Sequence, residues 1–282
     1  MIHLRTLTTD GSDALKRNAY PFNVPTIRTL PTLAFTAEVT FFVGENGTGK
    51  SALLEALACA VGAITAGSES VKTDRTLEPA RSLAQHLRLA WIRRTHKGLF
   101  LRAEDFFGYV KHLAQTRADL ENDLQALDEE YKDRTDEALH WARIPYKSEL
   151  SALQQRYGSG LDTHSHGESF LEFFEARFVP GGLYLLDEPE TPLSPKRQLT
   201  LLSMIHRMVQ TQQAQFIIVT HSPLLMAYPG ALIYSFDQTP IQPVSYAELE
   251  SVWLTRSFLT QPGQWLDRLF DSQDESSLNQ RP

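Results

Sequence analysis

Val39-Thr-Phe-Phe-Val-Gly-Glu-Asn-Gly-Thr-Gly-Lys-Ser-Ala-Leu-Leu-Glu-Ala-Leu-Ala58 decides the fold. Residues 39–43 are β-branched and aromatic and read as a strand, while 51–58 are strong helix formers. Between them Gly44 to Ser51 fits the pattern GxxxxGK[ST], the phosphate-binding P-loop. The order strand, loop, helix is what that chemistry needs. Glycines let the backbone curl so that successive N–H groups point at phosphate oxygens. The positive end of the helix dipole adds to the attraction. Asn46, Gly47, Thr48 and Gly49 are expected to line the cradle. Lys50 is expected to reach the outer phosphates, and the Ser51 hydroxyl to bind Mg²⁺.

Further along, Leu183-Tyr-Leu-Leu-Asp187-Glu188 is an apolar run ending in two acids. It reads as a buried strand delivering carboxylates to its carboxyl edge, where open α/β sheets bind ligands. Asp187 suits the Mg²⁺ shell, and Glu188 suits polarisation of an attacking water. A third apolar run, Phe216 to Val219, is followed by His221, which is expected at the same edge. Its imidazole has the chemistry to meet a terminal phosphate or that water. Strands are expected at His3–Leu7, Val39–Val43, Gly98–Arg102, Leu183–Asp187, Gln215–Thr220 and Ala231–Phe236. Helices are expected to begin at Lys50, Ser169 and Pro195, the last with Ser194 as N-cap. Short apolar runs alternating with helical patterns predict an α/β fold built on a mainly parallel sheet.

The interval between Lys50 and Asp187 is too long for a minimal P-loop domain. From about Asp105 to Tyr157 the strand signal vanishes, and Leu113, Leu120, Leu124, Leu127 and Tyr131 recur at helical spacings. A break at Pro145 and a second short helix from Lys147 to Tyr157 complete a small helical lobe inserted into the core. The expected division is 1–104 and 161–270 for the two parts of the core, 105–160 for the lobe, and 271–282 for a disordered tail.

Composition narrows the class. Hydrophobic residues make up 42% and charged residues 22%, so the chain can bury a core. A net charge of −7 argues against a surface that tracks nucleic acid throughout, without excluding a local basic patch. One cysteine, Cys59, rules out an internal disulfide and fits a reducing compartment. No apolar run is long enough to span a membrane, and the expected location is the cytoplasm.

Together these segments resemble ABC-type ATPases, and within them the soluble SMC/RecF-like branch. Gly44-Glu-Asn-Gly-Thr-Gly-Lys-Ser51 is similar to that branch's P-loop. Asp187-Glu-Pro-Glu190 resembles its Walker-B segment, and Thr220-His-Ser-Pro223 its switch-histidine segment. The resemblance implies a P-loop fold, ATP and Mg²⁺ as ligands, and catalytic roles for Glu188 and His221. It also implies a homodimer closed head to tail around two nucleotides. Ser165-His-Gly-Glu-Ser169 stands where the family's signature lies, so Ser165 and Gly167 are expected on the partner's nucleotide. Glu168 replaces a glycine of that signature and brings a negative charge toward phosphate. At the Q-loop position Glu104, not Gln, is expected to sense the metal.

Three outputs remain open: a nucleic-acid-linked motor or sensor serving repair or phage defence, the energising subunit of a transporter, and a nucleotide-gated regulator of a protein partner. Other features read as structural. His164 and His166 lack a third ligand, and Cys59 is a small packed residue. Tyr20 and Phe22 are placed for adenine stacking or for the core. Arg88, Arg93, Arg94, Lys97 and Arg102 form one cationic stretch, a solvated strand edge or a nucleic-acid or phosphate contact.

Overall fold

The computed structural model describes residues 1–11, 18–65, 70–132, 134–157 and 166–271. Its strands are β1 (Leu4–Thr9), β2 (Leu33–Ala34), β3 (Val39–Val43), β4 (Leu87–Trp91), β5 (Gly98–Arg102), β6 (Leu183–Asp187), β7 (Gln215–Val219), β8 (Leu232–Ser235) and β9 (Gln242–Val244). Helices α1 (Pro25–Arg28), α2 (Lys50–Val61) and α3 (Glu78–Ala84) precede the long pair α4 (Ala103–Glu130) and α5 (Asp136–Tyr157). Then come α6 (His166–Arg177), α7 (Pro195–Gln212), α8 (Pro223–Met226), α9 (Glu250–Thr260) and α10 (Pro262–Asp271).

Six strands form one sheet in the order β5-β6-β7-β3-β8-β9, parallel throughout except for β9 at its edge. This is the mainly parallel α/β sheet expected from the alternation of apolar runs and helices. Every residue of β3, β6 and β7 is buried, as a sheet covered on both faces requires. Successive side chains go to opposite faces. Phe41, Tyr184, Leu186, Phe216 and Ile218 join a core with Phe170, Phe173 and Phe174 of α6 and with Leu201 and Ile205 of α7. Phe42, Leu185, Ile217 and Val219 join a second core with Leu53, Leu54 and Leu57 of α2. Gly98 has φ +109° and starts β5 so close to β6 that an added Cβ would lie 1.9 Å from the Leu183 carbonyl oxygen.

Three features depart from expectation. The first strand does not join the parallel sheet. It forms a separate antiparallel sheet, β2-β1-β4, over the second core. Gln215, at the foot of β7, ties the two sheets together. Its Oε1 accepts from the backbone N–H groups of His3 and Leu4 at 2.8 Å each, and its Nε2 donates to the Leu4 carbonyl at 3.0 Å. Secondly, Pro145 does not break the lobe, because α5 runs continuously through it from Asp136 to Tyr157. The missing N–H frees only the Trp141 carbonyl, on an exposed residue where water can satisfy it. Packing of α5 along α4, with Arg143 paired to Asp128, holds the helix. α6 also begins at His166, one turn before the expected Ser169. The expected tail lies outside the described residues apart from Asp271, which closes α10.

Candidate functional site

The carboxyl ends of β3, β6 and β7 converge on the start of α2. Gly44, Gly47 and Gly49 have φ of +138°, +81° and +97°, backbone that L side chains rarely adopt. The loop is held from outside by two residues the sequence did not single out. Asp237, just beyond β8, accepts the Glu45 N–H on Oδ1 at 2.7 Å, and Thr26 of α1 donates to the Thr48 carbonyl. An added Cβ at Gly49 would lie 2.9 Å from Thr26 Oγ1, so the cradle has no room for one. Asn46 and Gly47 stay exposed at its tip, and Thr48 Oγ1 donates to the Glu45 carbonyl at 2.8 Å. Lys50 is buried, 4% exposed, with Nζ donating to the Gly44 and Glu45 carbonyls at 2.7 Å each. Burial lowers its pKa, against the raising influence of Glu188, Asp237, Asp187 and Glu45. Its charge is thus held at the loop by the same carbonyls that frame the cradle.

Ser51 and Asp187 meet, although 136 residues separate them in the chain: Ser51 Oγ donates to Asp187 Oδ1 at 3.1 Å. Burial pushes the Asp187 carboxyl up to about 7; the Ser51 bond opposes this and Glu55, Glu188 and Glu104 reinforce it. A hydroxyl and a carboxylate in contact, among further carboxylates, suit a hard, oxygen-seeking cation such as Mg²⁺. Among the described residues no cluster of three or more His, Cys, Asp or Glu forms an all-protein metal cage. Mg²⁺ does not need one, because it usually takes one or two protein ligands together with substrate phosphates.

Glu188 has φ +48°, a conformation uncommon for a residue with a side chain and found disproportionately at functional sites. Its N–H donates to the Val219 carbonyl at 2.9 Å, and its Oε1 lies 3.6 Å from His221 Nε2. His221 is positioned by Glu190, whose Oε1 accepts both the His221 N–H and the Thr220 hydroxyl at 2.7 Å. Burial raises the Glu190 pKa, and its Oε2 is buried without a hydrogen-bond partner among the described residues. Ser222 caps α8 and donates to Gln198 Oε1 at 2.6 Å, so the histidine loop is fastened to α7 as well. Ser51, Glu55, Arg102, Glu104, Asp187, Glu188 and Thr191 line one cleft of about 500 Å³ at this edge.

Glu104 borders that cleft but turns outward; its side chain is 78% exposed and 3.9 Å from Arg102 Nε. Arg102 is a correction to the cationic stretch, since it is buried rather than on a solvated edge. Its guanidinium bonds Asp105 at 2.6 Å, Asp74 at 2.9 Å and Glu55 at 3.3 Å. Ser165 lies outside the described residues, as do His164 and the side chain of His166. Gly167 stands at the start of α6, where an added Cβ would meet Arg197 Cδ at 2.8 Å and the Pro192 carbonyl at 3.0 Å. The charge of Glu168 is compensated by Arg197 at 2.8 Å. Phe22 is buried edge-on against His86, whereas Tyr20 is exposed near enough to Glu55 and Asp187 that they help burial to raise its hydroxyl pKa. The Cys59 thiol is part-buried, and burial pushes its pKa to about 11, as for a packed, unreactive residue. Among the described residues no helix is long and apolar enough to cross a membrane.

The sequence profile of the family described as "ABC transporter" matches residues 33–191, more than half of the chain. A second profile, "AAA domain, putative AbiEii toxin, Type IV TA system", matches residues 173–227, which contain Asp187, Glu188 and His221. No protein of curated function matches. Among solved structures, "An inward-facing conformation of a putative metal-chelate type ABC transporter" has a TM-score of 0.48 and 14% identity, over 90% of this chain and 88% of that one. The SMC head domain from Thermotoga maritima has 0.43 and 17%, over 86% and 100%. cbiO1 from Clostridium perfringens, part of the ABC transporter complex cbiONQ, has 0.42 and 14%, over 86% and 91%. Likenesses this loose carry no functional argument.

Proposed function

The chain belongs to the ABC transporter family, and on that premise we propose that it is a Mg²⁺-dependent ATPase whose nucleotide lies on the 44–51 loop at the carboxyl edge of the sheet. One juxtaposition carries the reading: Ser51 Oγ stands 3.1 Å from Asp187 Oδ1, with Glu188 and His221 3.6 Å apart beside them. Backbone N–H groups of Asn46 to Gly49 and the Lys50 ammonium bind and orient the phosphates. Ser51 and Asp187 hold Mg²⁺, which when bound neutralises charge on the phosphate oxygens. Glu188 accepts a proton from the attacking water, and His221 steadies the carboxylate and the terminal phosphate. Little covalent chemistry is asked of the protein, since positioning and charge carry phosphoryl transfer.

The active unit in this reading is a homodimer in which Ser165 and Gly167 of each copy meet the nucleotide of the other, and Glu104 reports the metal to the lobe. The process served is nucleic-acid-linked, in repair or phage defence. A transporter subunit or a nucleotide-gated regulator would use the same residues with a different partner. Glu188→Gln should keep ATP affinity, lose turnover at least ~100-fold and accumulate as the closed dimer. Steady-state hydrolysis and light scattering with ATP read both effects, and unchanged turnover would refute the assignment. Proteins captured by that trapped form separate the three outputs.

A further inference from the structure

We propose that the edge of the parallel sheet opposite the P-loop carries a phosphodiester-binding cleft that takes duplex nucleic acid by its backbone. The inference gives a site to the nucleic-acid output proposed above and rests on that output, not on the hydrolytic residues.

The cleft has a volume of about 540 Å³. The β4–β5 connection supplies Arg93, Arg94, His96 and Lys97, the approach to β6 supplies Gly181, and the end of α7 supplies Gln213. Among the described residues no Asp or Glu lines it. Arg93, Arg94, His96 and Lys97 are exposed, and among the described residues none pairs with a carboxylate. Arg102, five residues beyond Lys97 at the other end of β5, is the contrast, because it is buried among Glu55, Asp74 and Asp105.

The backbone beneath these cations is fastened. The Ile92 and Arg93 N–H groups donate to the His3 carbonyl at 2.8 and 3.3 Å. Thr95 Oγ1 donates to the Gly181 carbonyl at 2.8 Å and accepts the Lys97 N–H at 3.1 Å. His3, which also lines the cleft, is buried with Nε2 donating to the Gln213 carbonyl at 2.8 Å. Its Nδ1 is buried and, among the described residues, has no hydrogen-bond partner. Cations on a pinned loop lose little freedom on binding, which favours a fixed ligand geometry.

Charge and chemistry then choose the ligand. The chain as a whole carries a net charge of −7, and four of the acids, Glu55, Glu104, Asp187 and Glu188, line the cleft at the P-loop edge. β5 spans the sheet between the two edges, roughly 17 Å at the usual rise per residue. Guanidinium forks and an ammonium match phosphate oxygens. Among the described residues no Phe, Tyr or Trp lines the cleft, so they offer no platform on which single-stranded bases would stack. Backbone contacts to a duplex, without sequence preference, fit what is present.

The test is fluorescence anisotropy of the full-length, nucleotide-free protein with a labelled duplex of mixed sequence, across a salt series. Binding should weaken with salt at a log–log slope of about −3, for contacts from Arg93, Arg94 and Lys97. Arg93→Glu with Arg94→Glu should lower affinity at least ~10-fold and flatten the slope by about 2. Arg93→Lys with Arg94→Lys should retain most of the binding. ATP hydrolysis without DNA should be unchanged in both variants, which separates failure of this site from failure of the ATPase assignment. The proposal is overturned if the wild type does not bind the duplex or if the Glu variant binds it equally. Equal competition by polyglutamate would move the cleft to an acidic protein partner, and displacement by matched inorganic phosphate would move it to a small anion; either result overturns the duplex assignment.

Discussion

Asp187 shows how a single residue ties the candidate site to stability. Its carboxyl is raised from an ordinary value near 3.8 to about 7, first by burial. The folded protein therefore holds a proton that the unfolded chain has released between those values, and stability falls as pH rises through that window. Asp187→Asn keeps the acceptor for Ser51 and removes the buried charge. Thermal melting of the nucleotide-free variant should exceed wild type by roughly 5 °C at pH 8 and match it only near pH 3, below the whole window. An equal shift at both values would mean that the charge of Asp187 is not what burial opposes. At this scale the motifs named Lys50, Ser51, Asp187, Glu188 and His221, because each stands in a pattern with its neighbours. Asp237, Thr26 and Glu190 stand in no such pattern, and their contacts exist only once distant segments meet. Asp237 did carry a faint signal, as an acid ending an apolar run in the manner of Asp187.

Among the elements, the five parallel strands of the main sheet were legible because each is an apolar run closed by polar residues, whereas the short, exposed edge strand β9 (Gln242–Val244) was not. β1 was legible as a strand but not as part of another sheet. Its partners β2 and β4 are short or half-polar, and pairing leaves no mark on local periodicity. Pro145 misled because a local propensity rule was applied where packing against α4 decides. Arg102 misled because charge in a sequence says nothing about burial. It joins four pieces of chain: the end of β5, Glu55 on α2, Asp74 before α3, and Asp105 on α4. Burial opposes its charge, yet Asp105, Glu55 and Asp74 hold its pKa above the usual arginine value. Arg102→Met should cost ~3 kcal/mol or more, because it strands carboxylates built to be paired. A urea-unfolding midpoint reads the loss. Adding Glu55→Gln and Asp105→Asn should recover part of it, whereas additive losses would show that the cluster does not act as a unit.

For the molecule as a whole, the P-loop, the acid-ended strand before Glu188 and the strand before His221, with the family resemblance they carry, were enough to read an ABC-type P-loop ATPase and its mainly parallel sheet. The division into core and lobe is a separate matter, and packing suggests where it can be cut. Phe106, Tyr109, Val110, Leu113 and Leu153 of α4 and α5 touch the aromatic core beside α6, whereas the far turn carries local contacts such as the Arg143–Asp128 pair and Arg134 over the Tyr131 ring, and exposed residues such as Trp141 and Ile144. The near ends are therefore part of the core's stability and the far ends are not. Replacing residues 123–148 with a short Gly-Ser linker should move the melting temperature by less than ~3 °C and leave ATP affinity within about twofold. Any coupling of ATP turnover to a partner should be lost, if the lobe is what transmits the change made at Glu188 and His221. A large loss of stability would show that the distal hairpin belongs to the folding unit, and calorimetry with ATP titration distinguishes the outcomes. The logic follows from cooperativity: a segment that buries little against the core adds little to its unfolding free energy, and so is free to move when the site changes state.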